Sequence, residues 1–178
     1  MAMGQHCRVL QVVGYKNSGK TTLMGELVEA LSVRGQHVSA LKHHGHGGEP
    51  ASPDSSTDSE RFSQAGTITS AVEGDGVLRL SAVQNEWSLE QLLRVQAQFG
   101  PDVILVEGWK HAGCPKVVLL RGRDDWKILS QLTNVCCVLY RGEKPQTQLP
   151  SFSLDEPSHD YLHWIVSEVE DSDAIKFV

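Results

Sequence analysis

The sequence predicts an α/β fold: a mostly parallel sheet with helices on both faces, extended by an antiparallel hairpin. Three observations predict it. The run Arg8-Val9-Leu10-Gln11-Val12-Val13 is short and β-branched, and after a glycine turn the apolar positions switch to helical spacing. A second short apolar run follows that helix, and a strand–loop–helix–strand unit implies a parallel pair. Farther on, Val103-Ile104-Leu105-Val106 is continuously apolar, as a strand covered on both faces should be.

Taken in order, the first strand spans residues 8–13. From Lys20 to Arg34 the residues Leu23, Met24, Leu27, Val28 and Leu31 recur on one helical face, and Gly35 is placed to end the helix. His37-Val38-Ser39-Ala40-Leu41 reads as the second strand. Residues 43–57 carry glycines and prolines without apolar periodicity, and a loop of that length inside a domain points to function. A short helix is expected over 58–66. Strands at 68–72 and 77–83 flank Glu73-Gly74-Asp75-Gly76, a hairpin turn. Ser88 is placed to cap a helix over 88–99, with Leu89, Leu92, Leu93 and Val95 on its apolar side. After the strand at 103–106 come strands at 117–120 and 135–140, a helix over 124–132 between them, and a closing helix over 161–169. Residues 171–178 read as a tail.

The 178 residues fit one domain spanning the chain, large enough to build a core without disulfides or a structural metal. The net charge of -6 disfavours broad contact with nucleic acid or with an anionic membrane surface. No apolar run is long enough to cross a membrane and the first eight residues hold no signal core, so the expected location is the cytoplasm. Cys7, Cys114, Cys136 and Cys137 include no Cys-x-x-Cys pair, which suits reduced thiols in that compartment. Cys136 and Cys137, as strand neighbours, should face opposite sides of the sheet.

Gly14-Tyr15-Lys16-Asn17-Ser18-Gly19-Lys20-Thr21 matches the G-x-x-x-x-G-K-[ST] pattern in full, and Thr22 follows it. Glycines at the first and sixth positions allow the backbone to approach phosphate closely, and successive N–H groups form an anion nest at a helix N-terminus. Lys20 is placed to reach the outer phosphates and Thr21 to bind Mg²⁺. The loop follows an expected strand and opens an expected helix, the context that separates this motif from a chance match. The fold class is therefore that of the P-loop NTPases. Lys16 reads either as a lysine reaching toward a nucleotide on a partner subunit or as a solvated side chain.

A P-loop protein needs an acid near the Mg²⁺, directly or through water. Glu107 ends the most apolar strand, at the carboxyl edge where ligands sit in such sheets. Asp58 is a second candidate, with a helix cap as its alternative role. Lys42-His43-His44-Gly45-His46 follows the second strand at the same edge. Its histidines suit a phosphate or ligand contact, a transition metal, or simple solvation, and no matching cysteine pair favours the metal. Lys42, Arg61, Lys110, His111 and Lys116 form a candidate basic patch for an anionic small molecule. Trp109 either stacks on a flat ligand or covers the sheet edge. No Asn-Lys-x-Asp segment follows a late strand, so the base is undetermined by motif, and no residue stands out as a base for an attacking water.

The chain resembles the MobB family, the molybdopterin-guanine dinucleotide biosynthesis adapter proteins. The resemblance rests on four ordered segments: Val13 to Leu23, Leu41 to His46, Asp58-Ser59-Glu60-Arg61 with Ala65-Gly66, and Leu105 to Lys110 with Pro115-Lys116. It covers about residues 8–140. It implies a homodimer that binds GTP, hydrolyses it weakly, and assists the guanylyltransferase MobA in attaching GMP to molybdopterin. It also implies that residues Gly14 to Thr21 hold nucleotide, that Asp58 and Glu107 lie on the metal side, and that Lys42, Arg61, Lys110 and Lys116 bind ligand or partner. The guanine preference comes from the resemblance alone. The family usually has Phe or Tyr where Trp109 stands. A nickel-inserting metallochaperone GTPase, with His43, His44 and His46 carrying metal, is the alternative.

Overall fold

The computed structural model describes residues 5–44, 62, 65–173 and 175–177. The chain divides into two compact units, His46–Ser88 and the remainder. In the larger unit the described strands form one sheet of seven, with β1 (Gln5–Gly14) at its centre. The order is β2 (Val38–Lys42), β5 (Val103–Glu107), β1, β6 (Lys116–Leu120), β7 (Val135–Tyr140), β8 (Ser151–Ser153), and every pairing along this path is parallel. The smaller unit contributes β3 (Thr69–Gly74) and β4 (Val77–Ala82), an antiparallel pair. Its turn narrows to Asp75-Gly76, both with positive φ (49° and 76°), the two-residue turn whose twist suits a hairpin.

The two sheet faces separate by strand alternation. Leu10 and Val12 of β1, Val103 and Leu105 of β5, and Leu119 of β6 face α1 (Lys20–Val33) and α3 (His159–Asp171). Cys7 and Val9 with Ile104 and Val106 face α2 (Leu89–Ala97). Val13, Val118 and Leu120 pack against Ile128 of a 3₁₀ helix over Arg123–Gln131. Helices therefore cover both faces, as the fold class requires. The helix expected over 124–132 is 3₁₀ rather than α. At the end of α1 the Gly35 N–H donates to Ser32 O and the Gln36 N–H to Leu31 O, which closes the helix where the glycine stood in the sequence.

One reading changes and two features are new. Residues 171–178 are not simply a tail: β9 (Ile175–Phe177) pairs antiparallel with the start of β1. The strand β8 arises in a segment where the sequence offered no strand pattern, held by its pairing with β7. The registers of β6 and β7 shift between Lys116 and Val117, which leaves Cys136 as an extra residue on β7; Cys137 is buried in the core and Cys136 half-buried. All four cysteines are free thiols, and burial raises the pKa of each. The short helix expected over 58–66 lies largely outside the described residues.

Candidate functional site

β1 ends at Gly14 and α1 begins at Lys20, so Tyr15 to Gly19 span the gap from strand to helix at the carboxyl edge of the sheet. The turn is too tight for a side chain at Gly14: a Cβ there would lie 2.6 Å from Ser18 Oγ and 2.8 Å from Leu119 O. Ser18 Oγ is buried without a hydrogen-bond partner, a polar atom that fits a loop shaped around an oxyanion. Lys20 Nζ donates to Tyr15 O at 2.8 Å, folded back onto its own loop. Its pKa is lowered, first by burial and then by Lys42, Arg121 and Lys110, against the raising effect of Glu107. Thr22 and the loop residues Lys16 and Asn17 are exposed.

Glu107 ends β5 on a strand with every residue buried, and is itself 8% exposed. Thr21 Oγ1 donates to Glu107 Oε2 at 3.2 Å, although the two are 86 residues apart. Lys42, the last residue of β2 and paired with Glu107 across the sheet, sets its Nζ 3.2 Å from Thr21 Oγ1 and 3.2 Å from Glu107 Oε2. A hydroxyl and a carboxylate converge on one point with a cation against both. An all-oxygen pair of this kind suits a hard divalent ion such as Mg²⁺. Asp58 and Arg61 lie outside the described residues, and so does His46.

The basic patch is smaller than the sequence suggested. Lys110 lies over the Tyr15 ring at 5.3 Å and borders the phosphate loop. His43 and His44 follow β2 and are exposed; the His43 ring stacks on Trp109 with centroids 4.6 Å apart. Lys116 is a correction. It is fully buried, and its ammonium donates to Ala112 O, Cys114 O and Thr133 O at 2.8, 2.8 and 2.6 Å, which uses all three of its protons. Burial lowers its pKa, partly offset by the Cys114 and Cys136 thiols. It holds the chain together rather than facing an outside anion.

Two groups at this edge had no part in the sequence reading. Arg121, just past β6, donates to Lys16 O at 3.1 Å and lies 5.4 Å from the Tyr15 ring centroid. Its guanidinium is bound by both oxygens of buried Asp125, which also accepts the Arg121 N–H at 2.9 Å. These bonds hold the Asp125 carboxyl below the usual carboxylate range. Gln11 is the second. It sits buried in mid-strand, and its Nε2 donates to both Gly108 O and Trp109 O. A polar residue inside Val9-Leu10-Gln11-Val12-Val13 was the available signal for it; Arg121 offered only its position after an apolar run.

The family model for molybdopterin guanine dinucleotide synthesis protein B, MobB, matches residues 9–140. The chain belongs to the MobB family. A relative from Bacillus subtilis, the "Probable molybdopterin-guanine dinucleotide biosynthesis adapter protein", is 41% identical over 160 residues, covering 88% of this chain and 91% of its own. The solved MobB homolog of Bacillus stearothermophilus superposes with a TM-score of 0.75 at 36% identity, over 92% of this chain and 99% of that one. The MobB of Bacillus subtilis gives 0.77 at 35%, over 93% and 99%. The matched MobB region takes in the phosphate loop, the end of β2, the Trp109 turn and Arg121. Among the described residues no helix is long and apolar enough to cross a membrane.

Proposed function

We propose that this chain binds GTP with Mg²⁺ at Gly14–Thr21, hydrolyses it slowly, and acts as the adapter to a guanylyltransferase of the MobA kind in forming molybdopterin-guanine dinucleotide. The adapter role follows from family membership and from the names its relatives carry. The single observation that supports nucleotide binding best is the join of motif and geometry: the loop between β1 and α1 meets Glu107 through Thr21 Oγ1 at 3.2 Å.

Thr21 and Glu107 would hold the Mg²⁺, directly or through water, with Asp58 as a further candidate. When bound, the ion offsets negative charge on the phosphates. Lys20 leaves the Tyr15 carbonyl and takes a phosphate oxygen, a stronger charge-assisted bond. Lys42 gives up its place between Thr21 and Glu107 and remains as a cation beside the phosphates. Catalysis of this kind is positioning and electrostatics, and slow turnover follows from the lack of an evident base in the sequence. The homodimer, implied by the resemblance, and the cytoplasmic location, expected from the sequence, remain part of this reading. In the alternative reading His43, His44 and His46 load a metal; His46 lies outside the described residues, and among the described ones no group of three His, Cys, Asp or Glu forms a metal site.

Competition of GTP against ATP with Mg²⁺, measured by displacement of a fluorescent nucleotide, tests the proposal. GTP should displace the probe at lower concentration than ATP. The Lys20→Ala variant should lose about 1.5–3 kcal/mol of triphosphate affinity, one charged hydrogen bond. Equal displacement by both nucleotides removes the guanine preference, and unchanged affinity in Lys20→Ala removes the phosphate loop.

A further inference from the structure

The chain between β5 and β6, residues 108–115, crosses the sheet face at the level of Gln11 and Lys116, which are direct partners on β1 and β6. Both are fully buried, and together they direct five donor contacts at carbonyls. Gln11 serves Gly108 and Trp109, and Lys116 serves Ala112, Cys114 and Thr133. Two buried polar side chains therefore hold this crossing from beneath. What they hold is strained: Trp109 has φ 41°, a left-handed backbone that a bulky residue rarely adopts. Gly108 precedes it at φ 108°, with room for a Cβ denied by His43 Cβ at 2.6 Å.

The strained turn forms one wall of an open cavity of about 500 Å³, lined by His43, Trp109, Lys110, His111 and Ala112. That is the volume of a site for a small molecule. Its aromatic side is the stacked pair Trp109 and His43, with rings tilted by 34°. Lys110 and His111 are exposed and supply positive charge in a protein whose net charge is -6. The cavity also adjoins the candidate metal pair. Gly108 follows Glu107 directly, and the His43 N–H donates to Glu107 O at 2.9 Å. Lys110 lies over the Tyr15 ring of the phosphate loop.

We propose that this cavity is the site of the second reactant: a pterin bearing a phosphate, with its flat ring against Trp109 and His43 and its phosphate among Lys110 and His111. The inference rests on the functional reading above for the choice of pterin. Covering the core is the competing role of Trp109, which packs beside Leu89 on the α2 face. A cover needs an apolar side chain. It does not need a left-handed backbone, or a buried glutamine whose amide serves both carbonyls of the turn that carries it. Placed here, the pterin phosphate lies beside the bound triphosphate, so the adapter holds both reactants of guanylyl transfer for the partner enzyme.

Calorimetric titration of the full chain with neopterin monophosphate, and separately with GMP, tests this. Neopterin monophosphate should bind, and more tightly than GMP. Trp109→Ala and the Lys110→Ala/His111→Ala pair should each weaken it by about tenfold or more, whereas Trp109→Phe keeps a ring on the same turn and should stay within about threefold. Lys20→Ala should leave this titration unchanged while losing GTP, which separates the cavity from the phosphate loop. No heat at about 1 mM ligand, tighter binding of GMP, or equal binding by Trp109→Ala and wild type would overturn the proposal. Wild-type protein that binds the pterin but not GTP would sink the nucleotide reading and leave the cavity standing.

Discussion

Lys42 Nζ sits where Thr21 Oγ1 and Glu107 Oε2 converge, 3.2 Å from each. A cation held by protein competes with a cation from solution. Lys42→Met keeps the length of the side chain and removes the charge, so Mg²⁺ should bind the nucleotide-loaded protein more tightly. About tenfold, or about 1.4 kcal/mol, is the expected order for one partly exposed charge at this distance. A Mg²⁺ titration of nucleotide binding reads it, and an unchanged midpoint refutes it. Glu107→Gln should act in the opposite sense: nucleotide still binds but its Mg²⁺ dependence weakens. The same assay shows whether the two residues share one point of charge. Glu107 was legible in the sequence because its strand is apolar throughout and then stops at an acid. Lys42 was legible as basic, and its contact with Thr21, 21 residues away, was not.

The Trp109 turn is an element whose shape depends on others. Gly108→Ala places a methyl 2.6 Å from His43 Cβ at a φ of 108°, which an L-residue resists. The variant should lose about 1–3 kcal/mol of stability, seen as a lower urea midpoint with an unchanged slope. A midpoint equal to wild type would mean the turn rearranges at no cost. Lys116 shows why sequence reading misplaced part of the site. The sequence placed it in a loop or strand terminus near the carboxyl edge, but it is the first residue of β6, paired with Gln11 of β1. That pairing buries the lysine beneath the crossing chain instead of exposing it beside ligand. Register follows from which faces of two strands are buried together, and one segment read alone does not carry that.

At the scale of the molecule, Arg121 and Asp125 tie the end of β6 to the 3₁₀ helix and to the phosphate loop. Asp125 carries a folded-state pKa below its unfolded value of about 3.9. The unfolded chain therefore binds more protons in acid. The stabilisation is fully present above that unfolded value and is lost as pH falls through it toward the lower folded value. Urea unfolding followed from pH 7 down to about pH 3 should show a steeper loss of stability in wild type than in Asp125→Asn. Parallel curves would mean the pair contributes nothing to folding. Saturating GTP and Mg²⁺ should raise the unfolding temperature, since a ligand at about a hundred times its Kd adds about 2.7 kcal/mol to the folded state. No shift at any concentration would count against the nucleotide site.

The sequence by itself determined the strand–loop–helix join around Gly14–Thr21, the parallel α/β sheet, the hairpin and the place of Glu107 at the end of a buried strand. Each of these is written in neighbouring residues: glycine spacing, the change from short apolar runs to helical periodicity, and a polar residue at the end of an apolar strand. The tertiary structure decided the rest. It paired Gln5–Cys7 with residues 175–177, buried Lys116, aimed Gln11 at a turn 97 residues away, and brought Arg121 to the Lys16 carbonyl. Those outcomes come from contacts between segments far apart in the chain, where burial leaves carbonyls and charges in need of partners and the nearest donor in space answers, whatever its place in the sequence.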